Sequence, residues 1–505
     1  MRNKKKRSFP TAFTVLFIVL IVSVILTYVV PSGKYSKLSY NFEKGNFDVI
    51  KPNGDIEQLP GTQETLNKLS VKVDIETFKE GNIAKPIAIP NTYEKVKKNP
   101  QGPVAIVEAP IEGVYQCIEI IMFIFILGGV ISVINYSGAF DAGMASLSKA
   151  TKGKEKILII IVMILIALGG TSFGLAEEII AFYPILMPIY LLAGYDAIVC
   201  VAAIYMGSVV GVTFSTVNPF CVVIGSNAAG VNFTQGIISR GIGLILALVI
   251  ALIYIIRYAK KVKENPEKSL VYADKEKMEK KFLHGYSSKE IPEFNIKRKL
   301  MLIILLAAFL IMIWGVSIQG WWFTEMTALF LVTGIIIGVI SGIGEKVFVE
   351  KFIAGAGDLI GVALITGIAR GVNIIMENGF ISDSVLYYSS NLVQGMNPIV
   401  FIIVMLFIFA ILGFFIPSGT GLSTLSMPIM APLADSVGIS RDVIVSCFTY
   451  GQGLMASITP TGLVLASLAM VEVAYDKWLK FIVPLIAMLF GLASVLLIFQ
   501  AFVGI

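Results

Sequence analysis

Four short runs concentrate reactive side chains within an otherwise apolar chain. Gly169-Gly170-Thr171-Ser172-Phe173-Gly174-Leu175-Ala176-Glu177-Glu178 joins glycines and hydroxyls to a pair of carboxylates, and Ile416-Pro417-Ser418-Gly419-Thr420-Gly421 repeats the glycine and hydroxyl pattern. Ser215-Thr216-Val217-Asn218-Pro219 and Ser457-Ile458-Thr459-Pro460-Thr461-Gly462 each set hydroxyls beside a proline. In hydrocarbon an unsatisfied backbone group is so costly that non-helical chain at membrane depth is buried in protein or lines a watery cavity. An acidic pair in such a place is a functional hypothesis by default.

The chemistry these residues suit is solute binding. Helix N-termini at the interruptions offer free N–H groups and partial positive charge to a substrate carboxylate. Thr171, Ser172, Ser418, Gly419 and Thr420 at the two glycine-rich runs, with Asn218, Thr459 and Thr461 at the proline-containing runs, supply donors. Ionised Glu177 and Glu178 only accept hydrogen bonds, which suits an ammonium or guanidinium group. Ser215, Thr216, Ser457 and the backbone at Pro460 offer oxygens for an ion. Glycine and hydroxyl residues also serve close helix packing in membranes. The glutamates could instead sit in water at a hairpin mouth, or pair with Arg370.

Composition decides the solvent. Hydrophobic residues make up 56% of 505 positions and charged ones 15%, too apolar for a soluble chain. Apolar runs near 20 residues exclude a β-barrel of alternating strands, so the expectation is an all-α polytopic membrane protein. The net charge of +6 comes from basic residues flanking the spans and is no nucleic-acid signal. Cys117, Cys200, Cys221 and Cys447 all fall in apolar segments, so free buried thiols are expected. A single histidine, His284, and no Cys-x-x-Cys leave little for a transition-metal site.

In chain order, residues 1–30 read as a first transmembrane helix behind the basic flank Arg2, Lys4, Lys5, Lys6 and Arg7, with a cytoplasmic N-terminus. Residues 31–110 read as a polar external loop with β-like pieces such as Val71-Lys72-Val73-Asp74-Ile75. Residues 111–256 form a first repeat. It holds a span near 114–135, an in-plane piece with Lys149, Lys152, Lys154 and Lys156, a re-entrant hairpin with its tip at 169–178, and a helix broken at 215–219. The basic loop 257–299 reads as cytoplasmic by its thirteen Lys and Arg. Two linking helices fill 300–345. A second repeat, 346–505, opens with a span near 353–376 and has a hairpin tip at 416–421 and a broken helix at 457–462, leaving the C-terminus external.

The repeat rests on constant offsets. Gly138 and Gly379 are 241 apart, Met187-Pro188-Ile189 and Met427-Pro428-Ile429 are 240 apart, and Pro219 and Pro460 are 241 apart. Ile161-Val162-Met163 and Ile403-Val404-Met405 are 242 apart. An odd number of crossings separates the copies, so the second is inverted. Matching interrupted segments in two halves point to a transporter's midplane site.

These motifs resemble the YfcC/ArcD-like basic amino acid antiporter family of the ion transporter superfamily. The resemblance runs from Pro31-Ser32-Gly33-Lys34-Tyr35 to the end. It is carried by Gly170 to Glu178, Ser215 to Phe220, Ile416 to Gly419, Met427-Pro428-Ile429-Met430-Ala431-Pro432-Leu433-Ala434-Asp435, and Lys477-Trp478-Leu479-Lys480-Phe481. It implies an elevator-type fold related to divalent anion/sodium symporters, a homodimer in the cell (inner or plasma) membrane, and exchange of amino acids such as arginine and ornithine. Relatives that carry carboxylates with sodium use Ser-Asn-Thr at the tips. Here the tips read Thr171-Ser172-Phe173 and Pro417-Ser418-Gly419, so the coupling ion, sodium or proton, stays open.

The expected function is secondary transport of a small charged metabolite, a basic amino acid first, with no cofactor. The same-class rival is a sodium- or proton-coupled carrier of a C4-dicarboxylate or short peptide. An intramembrane enzyme or a channel is more distant, since no His-Glu-x-x-His or phosphate loop is present.

Overall fold

The computed structural model describes residues 10–503 except 82, 84–85, 144–145, 147–153, 284–292 and 320. His284, Lys149, Lys152 and the basic N-terminal flank lie outside the described residues. The rest is mostly helical, and nine of the described helices are long and apolar enough to cross a membrane. This is a multi-pass membrane protein.

Helix α1 (Ala12–Val29) is apolar on all sides and is capped by Thr11, whose side chain accepts the Thr14 N–H. A small sheet domain follows. Strands β1 (Gly33–Lys34) and β6 (Glu94–Lys95) pair, and β2 (Lys37–Asn41), β3 (Asn46–Ile50), β4 (Ile56–Pro60) and β5 (Ile87–Ala88) form a second sheet in the order β4-β3-β2-β5. Short helices α2 (Gln63–Lys68) and α3 (Ile75–Lys79) cover it. The β-like stretch 71–75 is not a strand. Asp74 caps α3 through the Glu76 N–H, and the alternating Val71 and Val73 plug the domain's core as a connector.

Helix α4 (Ala105–Gln116) begins inside the region expected to be loop and is followed at Cys117 by α5 (Ile118–Tyr136). Next come α6 (Glu155–Phe173), α7 (Tyr183–Leu192), α8 (Ala197–Thr213), α9 (Ile224–Ala229) and α10 (Ile237–Glu264). Helix α10 is longer than the expected span, and the basic connector after it is not wholly irregular: 3-10 turns lead to α11 (Lys275–Phe282). Helices α12 (Ile296–Gln319) and α13 (Phe323–Ser341) link to the second half. There α14 (Glu345–Asp358) and α15 (Ile360–Asn378) replace one expected span near 353–376, which breaks at Leu359. Then follow α16 (Ser382–Leu392), α17 (Pro398–Phe415), α18 (Gly419–Ser436), α19 (Arg441–Ala456), α20 (Val464–Met470) and α21 (Tyr475–Val503).

Packing brings early and late helices of the chain together. Helix α4 crosses α15, and α5 crosses α14. Both crossings are glycine-tight: a Cβ on Gly113 would fall 2.1 Å from the Gly367 carbonyl, and one on Gly128 would fall 2.5 Å from the Gly355 carbonyl. Small residues let membrane helices approach backbone to backbone. Within each half, the helix entering the tip packs on the first arm of the broken helix, α6 on α8 and α17 on α19. Between halves, α9 lies on α18, and α20 touches α7 and the turn before it. The central core is assembled from both halves.

Candidate functional site

The first tip is narrower than the sequence suggests. Gly169 to Phe173 stay helical within α6, because Gly170 nests against the Ser208 carbonyl and Gly211 of α8. The chain leaves the helix at Gly174, whose φ of +78° is the left-handed C-terminal conformation that glycine adopts freely. A 3-10 turn, Glu177–Phe182, then leads into α7. At the second tip only residues 416–418 are non-helical. Ser418 caps α18 by accepting the Gly421 N–H at 3.1 Å.

Each tip is laced to the broken helix of its own half. Thr171 Oγ1 accepts the Thr216 N–H at 2.9 Å and lies 3.1 Å from Thr216 Oγ1. Ser215 Oγ donates to the Thr171 carbonyl at 3.1 Å, and Asn218 Nδ2 donates to the Gly170 carbonyl at 3.1 Å. Asn218 Oδ1 in turn accepts the Phe220 and Cys221 N–H groups at 2.8 and 3.2 Å, capping the second arm. In the other half Gln452 Nε2 donates to the Pro417 carbonyl at 2.9 Å, and Thr461 Oγ1 donates to the Phe414 carbonyl at 3.1 Å. Thr459 and Thr461 hydroxyls lie 3.0 Å apart.

Cross-links then join the halves. Gly419 of the second tip rests on Cys221 of the first break, and Gly174 of the first tip rests on Phe220 and Asn218 of that same break. Residues 218–221 therefore lie between the two tips. Tyr205 of α8 donates to the Ala456 carbonyl at the second break, at 2.7 Å. The neighbouring freed carbonyls are also taken: Trp478 Nε1 donates to Ser457 O at 2.9 Å, and the Tyr475 hydroxyl donates to Ile458 O.

The expected site residues divide by how occupied they are. Thr171, Thr216, Ser215, Asn218, Thr459 and Thr461 are committed to holding the breaks together. Ser172 is exposed and turns back to the Leu168 carbonyl at 2.6 Å. Gly419 and Thr420 sit half-buried at the α18 N-terminus, Pro460 is buried, and the buried Ser457 hydroxyl has no partner among the described residues. Glu178 is 6% exposed and accepts the Ala176 N–H at 3.1 Å. Glu177 is half-buried and within electrostatic reach of Cys117, Tyr205 and Cys221. Arg370 pairs with neither glutamate. Its Nε donates to Gln116 Oε1 at 2.8 Å, and Nη2 lies 3.8 Å from Glu377. Among the described residues neither Glu177 nor Glu178 has an ion-pair partner, and no cluster could hold a metal.

Gln452, Tyr205 and Cys221 belong to this arrangement and are not evident from the four motifs. Gln452 stands between Gly451 and Gly453 of α19, and that glycine-flanked amide is the signal the sequence offered for it.

Spans, paired breaks and an acidic pair with no ion-pair partner among the described residues are the marks of a polytopic membrane transporter. The chain belongs to the DcuC family, the C4-dicarboxylate anaerobic carriers, whose family model matches residues 9–502. An uncharacterised protein of Haemophilus influenzae is 48% identical over 500 residues, covering 99% of this chain and 98% of the relative. YfcC of Escherichia coli, named provisionally as a basic amino acid antiporter, is 30% identical over 520 residues, covering 99% and 98%. Solved transporters align loosely along the whole chain. YdaH of Alcanivorax borkumensis has a TM-score of 0.39 at 13% identity, covering 97% of this chain and 98% of its own. MtrF of Neisseria gonorrhoeae, described with a class of antimetabolite efflux pumps, has 0.39 at 15%, covering 98% and 96%.

Proposed function

We propose that the chain is a secondary transporter exchanging small charged metabolites, a basic amino acid such as arginine or ornithine first among them. The observation that carries this reading is Glu177. An acidic side chain at membrane depth without a cationic partner is expensive, and a solute's ammonium or guanidinium would compensate it. Glu178, bonded to the turn before it, shapes that turn. The α18 N-terminus at Gly419 and Thr420 offers donors for the solute's carboxylate.

In this reading the halves are inverted repeats, residues 111–256 and 346–505. The hairpins and broken helices move as one body against α4, α5, α14 and α15 in a homodimeric scaffold, giving alternating access of the elevator type. The sheet domain faces outside the cell membrane and the basic connector faces the cytoplasm, in line with the positive-inside rule. The matched crossings and the parallel lacing of each tip support the repeat. The name of the Escherichia coli relative supports the solute class.

A second reading, ion-coupled uptake of a C4-dicarboxylate, is favoured by the family description. Counterflow in proteoliposomes loaded with arginine, ornithine or succinate, with and without sodium, separates them. Saturable uptake stimulated by basic amino acids on the opposite side supports exchange; stimulation by succinate alone selects the dicarboxylate carrier; non-saturating flux contradicts both.

A further inference from the structure

Behind the second tip lies a cavity of about 410 Å³, within the range of small-molecule sites. It is walled by Lys37 of the sheet domain, Arg370, Asn373 and Glu377 of α15, Asp383 of α16, and Ser418 of the tip. Gly421 and Thr424 continue the Ser418 face of α18 along it, whereas Gly419 on another face meets Cys221. The tip is thus a wall shared by this cavity and the glutamate site. Glu177 does not line the cavity.

Its polar groups are incompletely used. Asn373 is 8% exposed, yet its Oδ1 has no hydrogen-bond partner among the described residues, an omission that a buried acceptor normally avoids. Arg370 uses Nε on Gln116 and holds Glu377 only loosely, so Nη1 is open among the described residues. Ser418, exposed at the start of α18, accepts the Gly421 N–H with its hydroxyl oxygen and keeps the hydroxyl proton to donate. Asp383 accepts the Tyr35 N–H at 3.0 Å and keeps further acceptor capacity.

We propose that this cavity is a second binding station that takes the zwitterionic head of an α-amino acid. Arg370 and the Ser418 hydroxyl hold the carboxylate, while Asn373 Oδ1, Glu377 and Asp383 accept from the ammonium. The charge count decides the ligand class: the described lining carries two cations, Lys37 and Arg370, and two carboxylates, Glu377 and Asp383. A dicarboxylate would meet both acids unpaired, and a simple cation would meet both bases. A zwitterion satisfies each. The assignment rests on the carrier reading and deepens it by naming the part of the solute recognised first.

The test is equilibrium binding of labelled arginine, alanine and succinate to the full chain in lipid nanodiscs, in a Glu177→Gln background that weakens the other site for cationic solutes. Arginine and alanine should still bind, within about tenfold of each other, and succinate should not. Adding Asn373→Leu should weaken arginine binding at least tenfold. Lys37→Gln, on an exposed strand position that leaves the membrane core untouched, should weaken it several-fold. No amino acid binding in the Glu177→Gln protein, binding indifferent to both added substitutions, or equal binding of succinate would overturn the proposal. Absence of arginine counterflow by the unmodified chain, with this binding intact, would remove only the exchange reading.

Discussion

Gly419 rests against Cys221 so closely that a Cβ on the glycine would stand 2.5 Å from Sγ. The contact joins the tip of one half to the break of the other, and it leaves no space for any larger residue. Gly419→Ala should therefore destabilise the chain by about 1–3 kcal/mol, the usual effect of overpacking, and slow transport. Gly419→Ala combined with Cys221→Ala should recover most of the loss. Thermal unfolding in detergent, followed for both variants, reads the difference; equal loss in the single and double variants would show that the contact is not what limits this position.

The two glutamates should behave differently. Glu177→Gln is expected to weaken counterflow of arginine at least tenfold, about 1.4 kcal/mol of lost charge pairing, with a smaller effect on neutral analogues. Glu178→Gln keeps an acceptor for the Ala176 N–H and should retain most activity. Uptake assays on both variants check this, and equal loss of charged and neutral solutes in Glu177→Gln would refute its role.

Asn218 is a structural staple as well as a site residue. Asn218→Ala removes the acceptor for two N–H groups and strands the Gly170 carbonyl, so a loss of about 1–3 kcal/mol is expected. Unfolding midpoints compared with those of Ser172→Ala, which loses only a bond to its own helix, should show the larger drop for Asn218.

Much of this was legible in the sequence, and the failures have physical causes. The four interruptions stood out because glycine, proline and hydroxyl residues are conspicuous in apolar runs, and each is a break in the structure. Their edges were misplaced: Gly169 and Gly170 looked like chain-breakers but are helical, because packing against α8 uses their smallness and not their flexibility. The divisions at Cys117 and Leu359 carry no strong breaker, and are set by the crossings of α4 with α15 and α5 with α14. Val71 and Val73 alternate like a strand, yet the Asp74 cap wins locally. Gln452 and Tyr205 escaped because their partners, Pro417 and Ala456, are 35 and 251 residues away.

The connector is tied to the helical body by Glu472, which sits 2.7 Å from both Lys277 and Lys281. Burial pushes the Glu472 carboxyl up, but the two lysines outweigh it and hold the group below its usual range. A carboxyl lowered in the folded state contributes stability above its unfolded value, near 4.5, and that contribution fades as pH falls through the folded value. Hydrogen exchange over residues 275–282 should therefore accelerate as pH drops below about 4.5, after correction for the intrinsic rate. Glu472→Gln should abolish that dependence.

Cys221 offers the most direct probe, since it lies between the second tip and the reach of Glu177. In a variant keeping Cys221 as its sole cysteine, labelling by a small membrane-permeant thiol reagent should slow several-fold with saturating arginine. Glu177→Gln in the same background should remove the protection. Labelling that no solute in the arginine, ornithine and succinate panel alters would contradict a solute pocket enclosed by the two tips.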